Sequence, residues 1–142
     1  MVAHHMLNQS AERMILPITR EMGIGVLIMF AVRVLFSAEG RLQKVVQKQV
    51  AEGRLTAEVD AANPLGFLID TSGAESVIDA AYRYCRHTLG ADVVLFGTSN
   101  PHHVQANVES ILRPSLPAED VAQLQKVFGM LTGVGLDKPD YA

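Results

Sequence analysis

The residues of this chain best suited to chemistry lie in one stretch, Phe96-Gly97-Thr98-Ser99-Asn100-Pro101-His102-His103. An apolar run empties there into a small polar turn, and Pro101 suits the first position of a helix. The opening N–H groups of a helix have no acceptor within it, and the helix dipole adds partial positive charge at the same end. Thr98 and Ser99 contribute hydroxyl donors, and Gly97 lets a ligand approach the backbone. These are the ingredients of a seat for an anion or a phosphate. Asn100, His103 and Asn107 fall at i, i+3 and i+7, a polar row beside the apolar Val104 and Val108. Such a row can follow a ligand from its phosphate toward a sugar or base. The competing reading is an ordinary N-cap by Ser99 or Asn100 with solvated histidines. Pattern alone leaves both open.

Other reactive side chains lack supporting partners in the sequence. His4 and His5 begin a polar loop with Asn8 and Gln9, but no His-x-x-x-His spacing or nearby carboxylate pairing marks a metal site. Cys85 sits in an apolar helical stripe and reads as a small buried residue. Arg41, Lys44, Lys48 and Glu52 read as the solvated face of a helix.

Apolar periodicity locates the elements that carry these residues. Val2-Ala3 reads as the tail of a strand. Ser10 is a candidate cap for a helix bearing Ile15, Ile18 and Met22, kinked or restarted at Pro17 and closed by Gly23. Gly25-Val26-Leu27-Ile28-Met29-Phe30 is continuously apolar, which predicts a strand buried on both faces. Ser37 is expected to cap a helix that buries Leu42, Val45, Val46 and Val50. Residues 53–74 predict a long irregular connection. A helix over 75–88 sets Val77, Ile78, Ala81, Tyr84 and Cys85 on one side. Asp92-Val93-Val94-Leu95-Phe96 is the clearest strand. The helix from Pro101 is expected to bury Val104, Val108, Ile111 and Leu112, and a last helix over 117–131 to bury Val121, Leu124, Phe128 and Leu131. The glycine-rich tail after Thr132 is expected to be loosely held.

The alternation predicts an α/β fold with a parallel sheet and right-handed crossovers. Three strands cannot close a barrel, and a parallel sheet needs both faces covered. Residues 1–142 are therefore expected to form a single incomplete domain, part of a larger fold. A 49% hydrophobic, 19% charged composition argues against disorder. A net charge of −3 gives no electrostatic reason to expect nucleic acid or an anionic membrane as partner. The longest apolar run, 23–32, stops at Arg33 and is about half the ~20 residues that cross a bilayer. The chain starts without the basic flank and apolar run of a signal peptide. With one cysteine there is no intrachain disulfide, and a reducing, cytoplasmic setting fits.

The stretch from Val93 to Val108 resembles the last barrel strand and following helix of the aldo-keto reductases: a hydrophobic strand, a Gly or Lys, Ser or Thr, a short polar stretch, Pro, then Arg, Gln or His, and an Asn four residues on. His4-His5-Met6-Leu7-Asn8-Gln9-Ser10 is similar to that family's loop after the sixth strand, and Gly23-Ile24-Gly25-Val26-Leu27-Ile28-Met29-Phe30 to its seventh strand. The likeness runs over roughly residues 1 to 136.

The resemblance implies strands six to eight of a (β/α)8 barrel that binds NADPH in an extended pose and reduces carbonyls to alcohols. It implies that Gly97, Thr98 and Ser99, beside Asn100, hold the adenosine 2′-phosphate. His103 stands where the family often has a phosphate-pairing Arg, and Asn107 where an Asn meets adenine. Met29 falls where a Tyr commonly stacks on the nicotinamide, with Phe30 as its substitute if the register shifts by one. Arg33 is a candidate for the pyrophosphate, and a barrel's phosphate site after strands seven and eight follows the same architecture. His103 in place of Arg, and Ala106 in place of a frequent acid, leave NAD(H) as the alternative to NADP(H). The family's catalytic Asp, Tyr, Lys and His lie on the first four strands, which this chain does not contain. Tyr82 and Tyr84 do not match that arrangement, so no catalytic residue is assigned. The expected function is an NADP-dependent oxidoreductase fragment that takes a carbonyl substrate only when completed by an N-terminal half. The alternative is a non-catalytic nucleotide-binding or structural half-barrel that forms a homo-oligomer.

Overall fold

The computed structural model describes residues 1–56, 58–70 and 73–136. Glycines and short apolar runs give three strands, β1 (Val2–Ala3), β2 (Leu27–Met29) and β3 (Val93–Val94), in a parallel sheet of order β1-β2-β3. Val2 pairs with Ile28 and Ala3 with Met29, while Leu27 pairs with Val93 and Ile28 with Val94. The helices fall between and after them in the expected order: α1 (Ser10–Met14), α2 (Leu16–Glu21), α3 (Val34–Ser37), α4 (Arg41–Ala51), α5 (Gly66–Asp70), α6 (Val77–His87), α7 (Pro101–Leu112) and α8 (Ala118–Phe128). This is an α/β partial barrel, an arc of three strand–helix units.

The sheet is covered on one side only. Ile28 and Val94 are buried beneath the helices, whereas Leu27 and Val93 on the opposite face are 38% and 47% exposed. The expectation of a strand buried on both faces is therefore wrong for β2. No further strand among the described residues stands across the open face. The strands are short, and β1 and β3 each have a neighbour on one edge only. Pairing still reaches past them, through Leu95 N–H to the Ile28 carbonyl and His4 N–H to the Met29 carbonyl.

The break expected at Pro17 is real: the helix stops at Ile15 and restarts as α2 with proline in its first turn. The face expected to be buried is not. Ile15, Ile18 and Met22 are exposed, and Ala11 and Leu16 do the packing. Val104, Val108 and Leu112 on α7 are likewise exposed, whereas Ser110 is the residue α7 buries. Two expected caps also differ. Ser10 lies inside α1 behind Gln9, whose amide instead donates to the carbonyls of Met6 and Leu124. Ser37 ends α3, and α4 starts behind Gly40 in the left-handed region. The stripe of α4 is as expected, with Leu42 and Val46 buried.

Between α4 and α6 the expected irregular connection contains α5. The middle helix, α6, is buried nearly all round, from Asp79 to Cys85. It packs against α3, α5, α7 and β3. The end of the described chain is tied down, contrary to expectation. Gly133 N–H donates to Asn8 Oδ1 at 2.9 Å, Arg54 donates to the Thr132 carbonyl, and Val134 is buried. That segment and α8 lie over the loop after β1. His4, His5, Asn8 and Gln9 are consequently buried and not part of an open polar rim.

Candidate functional site

The C-terminal ends of β2 and β3 open into a cleft of about 720 Å³. Parallel sheets bind ligands at this end because strands deliver their following loops there and helices start there with free N–H groups. Seven of the nine residues singled out from the sequence line it: Met29, Phe30 and Arg33 from the end of β2, and Gly97, Thr98, His103 and Asn107 from the β3–α7 junction. Ser99 and Asn100 do not. They are exposed on the outer side of the turn.

The local fold explains that division. Asn100 is the N-cap of α7, its side-chain oxygen accepting from His102 N–H at 3.0 Å. Thr98 Oγ1 accepts from Asn100 N–H at 3.1 Å and sits 3.4 Å from His103 Nδ1. Two of the amides at the helix start are thus satisfied by the turn's own side chains, and the ordinary capping reading holds for Asn100. The amides of Gly97, Thr98 and Ser99 donate to no acceptor among the described residues. A Cβ built on Gly97 meets nothing within 4 Å, so the backbone there faces open space. The open donors lie one residue-step earlier than a helix N-terminus alone implies: in the turn, not at the first helical amides.

The side of the cleft near β2 is aromatic and cationic. The Arg33 guanidinium lies over the Phe30 ring at 4.3 Å, and Arg33 Nε donates to the Gly135 carbonyl at 3.0 Å. The far wall consists of residues that sequence reasoning did not single out: Glu75, Asp79 and Tyr82 before and along α6, and Ser110 and Arg113 on and after α7. Asp79 is buried between two guanidiniums, Arg83 Nη1 at 3.4 Å and Arg113 Nη1 at 3.3 Å, and Arg113 also pairs with Glu75. Ser76 caps α6 by accepting from Asp79 N–H, while the Asp79 carboxylate accepts from Glu75 N–H. The Ser-x-x-Asp spacing at 76–79 is a capping-box signal that was available in the sequence. Glu75 and Asp79 are thus paired with guanidiniums, while Glu109, also on this wall, accepts from the Gln105 amide. Burial, with Cys85 nearby, pushes the Tyr82 phenol up to about 12, which leaves it a neutral hydroxyl group.

His4 and His5 belong to a different, closed environment. His4 Nε2 lies 3.0 Å from Thr88 Oγ1 and 3.5 Å from Glu12, and its ring stacks on Tyr84, whose hydroxyl donates to Glu12. Burial lowers the pKa of both histidines, that of His5 to about 3. Desolvation likewise pushes the Tyr84 phenol and the Cys85 thiol upward, so Cys85 is an inert buried thiol. None of these groups lines the cleft. No three His, Cys, Asp or Glu side chains converge as a metal site among the described residues, and no described helix is long and apolar enough to cross a membrane.

A family model for the aldo/keto reductase family matches residues 1–128. No curated protein matches the chain. Among solved structures, the aldo-keto reductase AKR11C1 from Bacillus halodurans is similar in its apo form at a TM-score of 0.59 and in its holo form at 0.58, with 18% identity in each case. The likeness covers 95% and 96% of this chain but only 45% and 46% of those, so the chain spans under half the length of the structures it resembles. The family model spans most of the sequence and the fold likeness nearly all of it, and the chain belongs to the aldo/keto reductase family.

Proposed function

We propose that this chain forms the part of an NADP-dependent oxidoreductase that grips the adenosine-phosphate end of NADPH. One observation carries the reading: residues from two separate strand ends, distant in sequence, converge on one cleft that has unsatisfied backbone donors and open space at Gly97. In this reading the turn amides of residues 97–99, the Thr98 hydroxyl and His103 hold the 2′-phosphate. Asn107 meets the adenine, Arg33 the pyrophosphate, and Met29 packs on the nicotinamide side. NAD(H) is the weaker alternative ligand, since it lacks the phosphate that the turn is built to receive. The cofactor when bound supplies a hydride for carbonyl reduction. The chain's own contribution is binding and orientation, and reduction of a carbonyl substrate needs groups from strands beyond these three. A cytoplasmic setting, where NADPH is abundant and thiols stay reduced, accords with the single buried cysteine.

Titration of the chain with NADPH, followed by the nucleotide's own fluorescence, tests the proposal. Saturable binding that Asn107→Ala and Thr98→Ala each weaken by about 5- to 10-fold, the worth of one lost hydrogen bond, is expected. Binding that neither variant alters overturns the assignment of the cleft. A second reading, a half-barrel that covers its open face by homo-oligomerisation without catalysis, is favoured by the exposed Leu27, Val93, Val104, Val108 and Leu112. Sedimentation velocity separates the two, because that reading requires a discrete oligomer even when no nucleotide is present.

A further inference from the structure

Phe30 is the one non-glycine residue with a positive φ, 71°, among the described residues. A bulky aromatic in the left-handed region is strained, and such strain persists where surrounding contacts over-determine it, most often beside a ligand site. The contacts are on hand. Arg33 lies with its guanidinium 4.3 Å above the Phe30 ring, and its Nε donates to the carbonyl of Gly135 at 3.0 Å. Gly135 is itself fixed. Its φ is +68°, a conformation that favours glycine, and a Cβ there would press on Leu35 Cδ2 and stand 3.4 Å from the His5 ring. Phe30 and Arg33 both line the cleft that Gly97, Thr98 and His103 enter from the other side.

We propose that Phe30 is a positioning residue: its ring and the Gly135 carbonyl together hold the Arg33 guanidinium on the cleft wall, which makes the segment after α8 part of the nucleotide grip. The two constraints act from different directions, one on the flat face of the guanidinium and one on its Nε–H edge. A long, rotamer-rich side chain is thereby ordered before any ligand arrives, and the entropy of fixing it is not charged to binding. The strained backbone of Phe30 is what turns the ring toward Arg33. The proposal rests on the nucleotide reading for its consequence, but its geometry belongs to the free protein.

The experiment therefore has two arms. In the free chain, the Arg33 Nε–H proton resonance is expected to carry a ring-current shift that Phe30→Leu abolishes and Phe30→Tyr keeps; a resonance indifferent to Phe30→Leu overturns the positioning role. In NADPH titrations, Phe30→Leu is expected to weaken binding about 10-fold when Arg33 is present and less than about 2-fold in an Arg33→Gln background, with Phe30→Tyr close to the parent chain. Additive losses overturn it, since they mean that Phe30 acts on the ligand or on stability independently of Arg33. If the parent chain binds no NADPH, the nucleotide reading fails, while the resonance arm still decides whether Phe30 and Gly135 hold Arg33.

Discussion

Charge reversal at the β3–α7 turn isolates the 2′-phosphate from the rest of the nucleotide. In a Ser99→Asp, His103→Glu double variant, two carboxylates replace a hydroxyl and an imidazole at the mouth of the cleft. Both positions are exposed, so water's dielectric applies and not a protein interior's. A carboxylate about 5 Å from a phosphate bearing nearly two charges is repelled by roughly 1.5 kcal/mol at a dielectric constant of about 80. His103 lines the cleft and Ser99 does not, so the Glu at 103 delivers that full term and the Asp at 99, farther off, roughly half of it. Loss of the His103 hydrogen bond adds about 1 kcal/mol. The sum, about 3 kcal/mol, corresponds to roughly a 100-fold weaker NADPH complex. NADH has no phosphate at that position and should weaken less than about 3-fold. The assay is paired fluorescence titration with both nucleotides at low ionic strength, repeated at high salt, where the difference should shrink with the Debye length. Equal losses for NADPH and NADH refute the reasoning, because they place the extra phosphate elsewhere. So does a Ser99→Asp single variant that outweighs His103→Glu.

Acid should destabilise the fold through its buried histidines. With the folded-state pKa of His5 depressed to about 3, the unfolded chain binds the extra proton below about 6.5, so stability is complete above that pH and falls as pH drops toward 3. The loss is roughly 2 kcal/mol at pH 5 from His5, with His4 acting in the same direction, and urea midpoints between pH 7.5 and 5 should show it. His5→Asn, whose carbonyl can accept from Leu7 N–H as the ring Nδ1 does, should flatten the profile, and an unchanged profile would falsify the assignment. Asp79→Ala strands Arg83 in a buried site and should cost about 3–5 kcal/mol by chemical denaturation; a loss under about 1 kcal/mol means that the carbonyls of Pro114 and Ser115 suffice for that guanidinium. Replacing Val104, Val108 and Leu112 together by Gln should change the stability of this chain by less than about 1 kcal/mol, because all three are exposed, while lowering light scattering. A large drop in melting temperature would show that the stripe is covered in solution.

The sequence announced the order of elements and the cleft for the same reason: both depend on local patterns. Glycines before apolar runs, Pro17 and Pro101, and the polar turn at 97–100 act within a few residues of themselves, and the structure has elements or breaks at each. What sequence reading could not reach was the identity of the neighbours. Ile15, Ile18 and Met22 recur at helical spacing, yet which face a helix buries depends on what stands opposite, and here Ala11 and Leu16 meet the rest of the chain. The loop at 4–9 reads as polar from its residues, which say nothing of its burial. It is buried because α8 and the segment after it fold back over it, a contact between residues more than a hundred positions apart. The far wall of the cleft escaped notice for a related reason. Arg113 meets Asp79 and Glu75 only once α6 and α7 are packed side by side.

The distribution of exposed apolar residues makes physical sense of the short span. In an arc of strand–helix units, each unit buries its apolar surface against the units on both sides. The middle unit here, β2 with α6, has both neighbours, and α6 is buried nearly all round. The first unit exposes Ile15 between α1 and α2, Ile18 on α2 and Met22 at its end, and the last exposes Val104, Val108 and Leu112 on α7. Leu27 and Val93 mark the side of the sheet where a closed barrel would pack its interior. These residues sit at the two flanks and the concave face, the three places where an arc differs from a ring. The cleft does not share that deficit. Its lining comes from the second and third units, which are adjacent in the arc, and one of its lining residues, Arg33, donates to the Gly135 carbonyl. On the function proposed above, nucleotide binding would need only these adjacent units, whereas carbonyl chemistry would also depend on what completes the barrel at its flanks.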